Sequence, residues 1–350
     1  MPRAASRLAA GHIRVLTVES DMTLIFQRFD ADTGLLADED VLPHFERWQS
    51  EGLHTALVTL IGVDGGAPRQ PGAQMVVAED GRFAGYLSGG CLEAAVVLEA
   101  QAAIRAGENR LIRYGKDSPY FDIKLPCGSG LDLYFDQRLS AAQVRELLNY
   151  RAARQACSLR TSLVDGTSIV TAGSQGPLPR SARDGEYFDR HYPPSLRLLL
   201  LGSGPPLNAI ATVAQVSGLE IAIWSPDEAT REQAGRRGMT AFNGMAALQR
   251  SIEALDDASA VVLIFHDHEA EPDILARVLK TDCFYVGVLG NHAVHRQRLE
   301  ALQAMGFAAT SRARLHAPVG SIPGAKSKAT LAAGVLAEIL AEAKIANLVS

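Results

Sequence analysis

Four short apolar runs lie in the second half of the chain, at Leu196 to Leu201, Leu219 to Trp224, Ala260 to Phe265 and Phe284 to Leu289, and helical segments separate them. A strand that is apolar along most of its length must be covered on both faces. Helices placed between successive strands supply that cover when the sheet is parallel. The second half is therefore expected to be a Rossmann-like parallel-sheet domain, closed by a final helix at about 327–344.

The first half has a different rhythm. Val41, Phe45 and Trp48, followed by Gly52, mark an amphipathic helix and its stop. His54 to Ile61 reads as a strand, Gly62 to Gly72 is too rich in Gly and Pro to be regular, and Ala73 to Ala78 resumes as a strand before the hairpin signal Asp80-Gly81. Arg82 to Leu87 returns as a strand, Cys91 to Arg105 reads as a helix, and Leu131 to Phe135 as a further strand. A helix from Ser140 to about Arg154 and strands at Ser158 to Val164 and Thr167 to Thr171 follow, and 173–194 is polar and proline-rich. The fold class is α/β: an N-terminal mixed α/β domain followed by a Rossmann-like parallel-sheet domain. The expected division is a disordered leader at 1–21, one domain at 22–193 and a second at 194–350, with the boundary at Pro193-Pro194.

Charge and cysteine usage narrow the partners. A formal net charge of −5 gives no electrostatic reason to bind nucleic acid or an anionic membrane. No apolar run approaches the roughly 20 residues that span a bilayer. Cys91, Cys127, Cys157 and Cys283 stand at unrelated spacings that make no disulfide framework, so a reducing cytoplasm is the expected location.

Two of those cysteines have unusual neighbours. Gly89-Gly90-Cys91 joins a strand end to a helix start, where the partial positive charge of the helix favours a thiolate. Cys127 sits in Pro126-Cys127-Gly128-Ser129-Gly130, just before a strand. An isolated cysteine is more often a small buried hydrophobe. Two thiols on glycine-rich loops invite instead a shared site, with the sulfur as a nucleophile or a soft ligand.

Gly202-Ser203-Gly204 after the strand at 196–201 has the form of a dinucleotide-binding turn. Pro205 and Pro206 remove two N–H donors there, Leu207 takes the third glycine position, and Ile223-Trp224-Ser225-Pro226 lacks the carboxylate that grips a ribose. The crevice remains suited to another phosphorylated ligand. His266-Asp267-His268-Glu269 follows the strand ending at Phe265 and reads as pocket lining or a helix cap in preference to a metal site.

Assembled, these residues resemble the XdhC/CoxI family of accessory proteins for xanthine dehydrogenase-type molybdenum enzymes. The resemblance rests on Gly66-Ala67-Pro68-Arg69 with Gly72-Ala73-Gln74-Met75, on Ser88-Gly89-Gly90-Cys91-Leu92-Glu93 and on Cys127-Gly128-Ser129. It continues through Gly202-Ser203-Gly204, Phe265-His266-Asp267, Val286-Gly287-Val288-Leu289-Gly290 and Ala317-Pro318-Val319-Gly320. Pro205, Ser225 and Ser327-Lys328-Ala329-Thr330 depart from the family pattern.

The resemblance implies a chaperone, not a turnover enzyme with catalytic residues. Such a protein binds molybdenum cofactor, as molybdopterin or its cytosine dinucleotide form, protects it, assists its sulfuration and inserts it into an apoenzyme. The expected cofactor-binding residues are Cys91, Cys127, Gly89, Gly90, Arg69, Gln74, Gly202, Gly204 and His266, with Cys91 and Cys127 near the molybdenum. The implied partners are the large subunit of a molybdoenzyme, a cysteine desulfurase and a cofactor nucleotidyltransferase, with a homodimer left open. The alternative reading is an NAD(P)-binding oxidoreductase.

Overall fold

The computed structural model describes residues 40–90, 92–118, 128–173, 181–265 and 271–349. Cys91, Cys127 and His266 lie outside them.

The chain opens with α1 (Leu42–Ser50), then the meander β1 (Thr55–Asp64), β2 (Gln74–Ala78) and β3 (Phe83–Gly85), then α2 (Glu93–Ala106), β4 (Arg110–Gly115), β5 (Gly130–Asp136) and α3 (Ala141–Ala152). The five strands form one antiparallel sheet in the order β3-β2-β1-β5-β4. β1 is buried along its first seven residues because both faces of this sheet are covered. Ala56, Val58 and Leu60 pack with Val96, Ala100 and Ala103 of α2, while Leu57 faces Phe45 and Trp48 of α1 and Val144 and Leu147 of α3. The period-two alternation of a strand sorts the two sets onto opposite faces.

A second antiparallel sheet, ordered β7-β6-β9-β8, is built from β6 (Cys157–Ser162), β7 (Ser168–Ala172), β8 (Ala182–Asp184) and β9 (Tyr187–Tyr192). The polar, proline-rich stretch 173–194 holds β8 and β9, with Tyr187-Phe188, its apolar pair, opening β9. Phe188 of β9 packs against Ile61 and Tyr134 of the first sheet, and the Tyr192 hydroxyl donates to the Gln74 side chain at 2.9 Å.

From β10 (Arg197–Gly202) onward the sheet is parallel. α4 (Pro205–Val216), β11 (Glu220–Trp224), α5 (Glu228–Gly235), β12 (Ala241–Phe242), α6 (Met245–Glu253) and β13 (Ser259–Ile264) follow. They lead to α7 (Glu271–Val278), β14 (Tyr285–Val288), α8 (His292–Ala304), α9 (Ala309–Arg312), β15 (Leu315–His316) and α10 (Lys328–Ile345). The strand order β12-β11-β10-β13-β14-β15 is the doubly wound Rossmann order. Leu198 and Leu200 face α4 and α10, whereas Leu199 and Leu201 face α6 and α7. That double burial is what the apolar runs demanded.

Candidate functional site

Register places the glycine loops of the first half at one edge of one sheet. Gly85, at the end of β3, pairs with Met75, and Gln74 beside it pairs with Thr59. Beyond that point β1 continues alone with β5 until Asp64 stands opposite Gly130, which also pairs with Gly115 of β4. The loop at 65–73, residues 86–90 and residues 128–129 therefore leave the sheet on the same side. Contact confirms it at two places. The Arg69 guanidinium stacks over the Tyr86 ring at 4.4 Å and donates to the Tyr86 hydroxyl at 2.8 Å. A Cβ on Gly65 would lie 3.5 Å from the Ser129 Cα.

The base of the 86–92 loop is a closed hydrogen-bond cluster around Glu93. One carboxylate oxygen accepts from the backbone N–H of Leu87 (3.1 Å) and Ser88 (2.9 Å). The other accepts from the Ser88 hydroxyl (2.9 Å) and the Leu92 N–H (3.2 Å), while that same N–H reaches Ser88 Oγ at 3.1 Å. Glu93 is only 8 % exposed. Burial pushes its carboxyl upward, but the Ser88 and Leu87 amides and the Ser88 hydroxyl outweigh burial and hold it below the usual range. Above this base, Gly89 and Gly90 are exposed, at φ of +93° and +109°, with open space where a Cβ would stand.

α2 begins at Glu93 with Leu92 as its N-cap, and its first turn carries the Glu93 carboxylate. That negative charge already complements the positive helix end. Gln74 is also placed differently from expectation. It is 5 % exposed, its amide donates to Thr59 Oγ1 at 3.1 Å and its carbonyl accepts from Tyr192, so both ends serve internal partners.

Sequence reading missed the charges at this edge because it did not recognise β4. Arg113 bridges Asp132 (3.0 Å) and Asp64 (3.2 Å), and Lys116 also meets Asp64 at 3.2 Å. The alternation of Ile112 and Tyr114 inward with Arg113 outward was the available signal. Gly62 and Gly130 make room for this pair, since a Cβ at either would fall 2.7 Å from Asp132 Oδ2 or 2.5 Å from Arg113 Nη2.

Gly202 and Gly204 stand elsewhere, at the carboxyl edge of the parallel sheet, beside the switch point between β10 and β13. Gly202 has φ +129°, and a Cβ there would lie 1.9 Å from the Ile264 carbonyl oxygen, so strand packing alone requires glycine. The Ser203 N–H donates to Ile264 O (2.9 Å) and the Gly204 N–H to Thr230 Oγ1 (2.8 Å). Asp227 in turn caps α5 by accepting from the Thr230 N–H at 2.8 Å. With Pro205 and Pro206 next, four successive positions offer no spare N–H to a pyrophosphate. At the carboxyl end of β14, Arg298 is buried and joined to Glu271 and to the Leu289 carbonyl.

The two halves are tied at the opposite end of the parallel sheet. Arg154, just past α3, grips Asp256 through Nε (2.6 Å) and Nη2 (2.9 Å) and donates to the Ser195 carbonyl at 2.8 Å. Glu220 lies 3.5 Å from Arg154 and 2.8 Å from Arg197, which opens β10. Among the described residues, no group of three or more His, Cys, Asp or Glu side chains is arranged to hold a metal ion, and no helix is long and apolar enough to cross a membrane.

An antiparallel sheet carrying glycine loops on one edge, followed by a doubly wound parallel sheet, defines a two-part α/β protein with a Rossmann unit second. The XdhC and CoxI family pattern matches residues 48–115 and the XdhC Rossmann domain pattern matches 198–339, so this chain belongs to the XdhC and CoxI family. It is 35 % identical over 291 residues, 82 % of this chain and 83 % of the relative, to the molybdenum cofactor insertion chaperone PaoD of Escherichia coli (strain K12). It is 24 % identical over 313 residues to a protein of Bacillus subtilis (strain 168) named as a probable subunit of xanthine dehydrogenase, covering 81 % and 92 % of the two chains. The fold is shared with the crystal structure of a xanthine dehydrogenase from Bacillus halodurans, at a TM-score of 0.69 and 19 % identity over 87 % of this chain and 96 % of that one.

Proposed function

We propose that this protein is a molybdenum cofactor insertion chaperone whose cargo is held at the glycine-loop edge of the first sheet. The observation that carries the proposal is the convergence of the 65–73 loop, the 86–90 tip and residues 128–129 on one sheet edge. The likeness to PaoD, whose name states that activity, supplies the identity of the cargo.

Each part of that edge has a chemical use. Cys91 and Cys127, joined to Gly90 and Gly128, bring thiol groups suited to molybdenum and its sulfur ligand. The exposed backbone at Gly89 and Gly90 suits the pterin phosphate, and Arg69 adds a cation. In this reading Gln74 supports the edge from within, braced between Thr59 and Tyr192, and does not touch the cargo.

The finer proposals are protection of the cofactor during sulfuration by a cysteine desulfurase and delivery to the large subunit of a xanthine dehydrogenase or aldehyde oxidase-type enzyme in the cytoplasm. A nucleotidyltransferase is the proposed source of a dinucleotide form. The second domain, with His266 near the carboxyl edge, is proposed to meet that extension away from the occupied N–H groups at 203 and 204. The occupied turn also weighs against the oxidoreductase alternative.

The test is pterin content. Protein purified from molybdenum-replete cells is oxidised and its pterin fluorescence measured against protein. Wild type is expected to carry pterin, and Cys91→Ala and Cys127→Ala to lose it by about tenfold, the effect of removing one good contact. Pterin-free wild type, or equal pterin in both variants, overturns the proposal.

A further inference from the structure

Arg298 Nη1 and His295 Nδ1 are buried nitrogens without a hydrogen-bond partner. Both belong to the first turns of α8, the helix that leaves the carboxyl end of β14, and a spacing of three residues puts them on one face of it. Arg298 is 4 % exposed, and its guanidinium is fixed beside that strand end. Nη2 donates to the Leu289 carbonyl at 3.1 Å and would lie 3.5 Å from a Cβ on Gly290, while Nε binds the Glu271 carboxylate at the start of α7. A guanidinium carries five N–H donors in fixed directions, so these two contacts engage one edge of the fork and leave the Nη1 donors unused. A donor shielded from water and left unpaired loses its hydration for nothing, and the loss is larger when the group is charged. His295 shares this setting: burial holds its imidazole below the usual range, and the charges of Arg298 and His292 push it the same way.

We infer that Arg298 Nη1 and His295 Nδ1 form an oxyanion site that takes a phosphate group at the carboxyl end of β14. Phosphate fits better than a carboxylate, because its several oxygens can accept from two side chains at once and its charge answers a guanidinium and an imidazolium together. Glu271 orients the guanidinium through Nε and leaves Nη1 to the ligand. The start of α8 is not the binding element, since Asn291 Oδ1 already accepts from the N–H groups of Ala293 and Val294. The site is also separate from Gly202-Ser203-Gly204, because β13 stands between β10 and β14. It therefore needs none of the N–H groups that the chain itself occupies in that turn. The inference deepens the reading of the second domain as the part that meets a nucleotide extension, and rests on that reading only for the source of the phosphate.

The experiment titrates the full chain with inorganic phosphate, and separately with cytidine monophosphate, in chloride of matched ionic strength, read by calorimetry with urea unfolding of each variant as the fold check. Wild type is expected to bind phosphate saturably, and affinity to fall about tenfold in Arg298→Gln, the scale of one charge-assisted hydrogen bond, and by less in His295→Ala. Cytidine monophosphate binding more tightly than phosphate supports the site with a nucleotide as the source, and equal affinities support it with a free phosphate group. A second readout is the titration of His295 followed by NMR. Bound phosphate is expected to raise its midpoint, because an anion offsets the positive charges that depress it. Absence of saturable phosphate binding in wild type, or wild-type affinity in a folded Arg298→Gln protein, overturns the inference. If Arg298→Gln does not fold, a His295 midpoint that stays put at saturating phosphate overturns it. Pterin content judges the chaperone reading separately: pterin-free wild type that still binds phosphate through Arg298 keeps this site and sinks that reading.

Discussion

Gly202 and Glu93 show how motif residues can serve the chain's own architecture, one by strand packing and one by hydrogen bonds within its loop. The Gly202 Cα faces the Ile264 carbonyl so closely that any side chain must push β10 away from β13. Gly202→Ala is therefore expected to lower stability by about 2–4 kcal/mol in urea unfolding, through strain at a left-handed backbone and a direct clash. The same substitution acting only on ligand affinity, with unchanged stability, contradicts this assignment. Gln74 is a second residue whose motif membership has an internal explanation. Gln74→Leu leaves Thr59 and Tyr192 without their buried partner and is expected to cost about 1–3 kcal/mol. Cys157 behaves as a small hydrophobe, its thiol pushed up to about 11 by burial above all. It is expected to resist iodoacetamide at neutral pH until urea unfolds the chain.

At the level of elements, the β8–β9 hairpin carries more weight than its polar sequence advertises. Only Phe188 of β9 is fully buried, and it fills the space between Ile61 and Tyr134 on the outer face of the first sheet. Phe188→Ala is expected to destabilise by about 3–4 kcal/mol, from lost burial plus the cavity left behind, measured by urea unfolding. Strands with one buried anchor give no alternating pattern over several residues, which is why 173–194 reads in sequence only as polar and proline-rich. β4 is hidden for a related reason. As an edge strand it buries only Ile112 and Tyr114, so its apolar signal is short. The parallel strands were legible because both of their faces are covered.

Across the whole molecule, the two halves are held by a charged clamp at the amino-terminal edge of the parallel sheet. Burial raises the Asp256 carboxyl, but the bidentate Arg154 contact and the Ser259 hydroxyl outweigh it and leave it below the ordinary 3.8. A carboxylate depressed in the folded state contributes stability above its unfolded value, and that contribution disappears as pH falls through the folded value. Wild type is thus expected to exceed Asp256→Asn in stability by about 1–3 kcal/mol at neutral pH. The difference should shrink below pH 3.8 and vanish once the folded group is protonated. Calorimetric unfolding of both proteins between neutral and acidic pH checks this, and a constant difference across the range refutes the clamp. The Arg154 contact lies at the edge of the parallel sheet opposite Gly202.

Sequence alone determined the α/β class, the Rossmann-like parallel sheet of the second half and the family, because apolar period and glycine spacing are local quantities that survive without coordinates. It also located the loops that matter, since Gly, Pro and Cys announce themselves by type. Tertiary structure decided which of the described residues among them have internal partners. Gln74 is committed to internal hydrogen bonds and Gly202 to strand packing, Glu93 accepts from both sides of its own loop, and Arg113 and Lys116 join Asp64 at the sheet edge where the glycine loops leave. Those roles depend on which strands become neighbours, and pairing between strands distant in the chain follows from the burial of the whole sheet, which no short window of residues encodes.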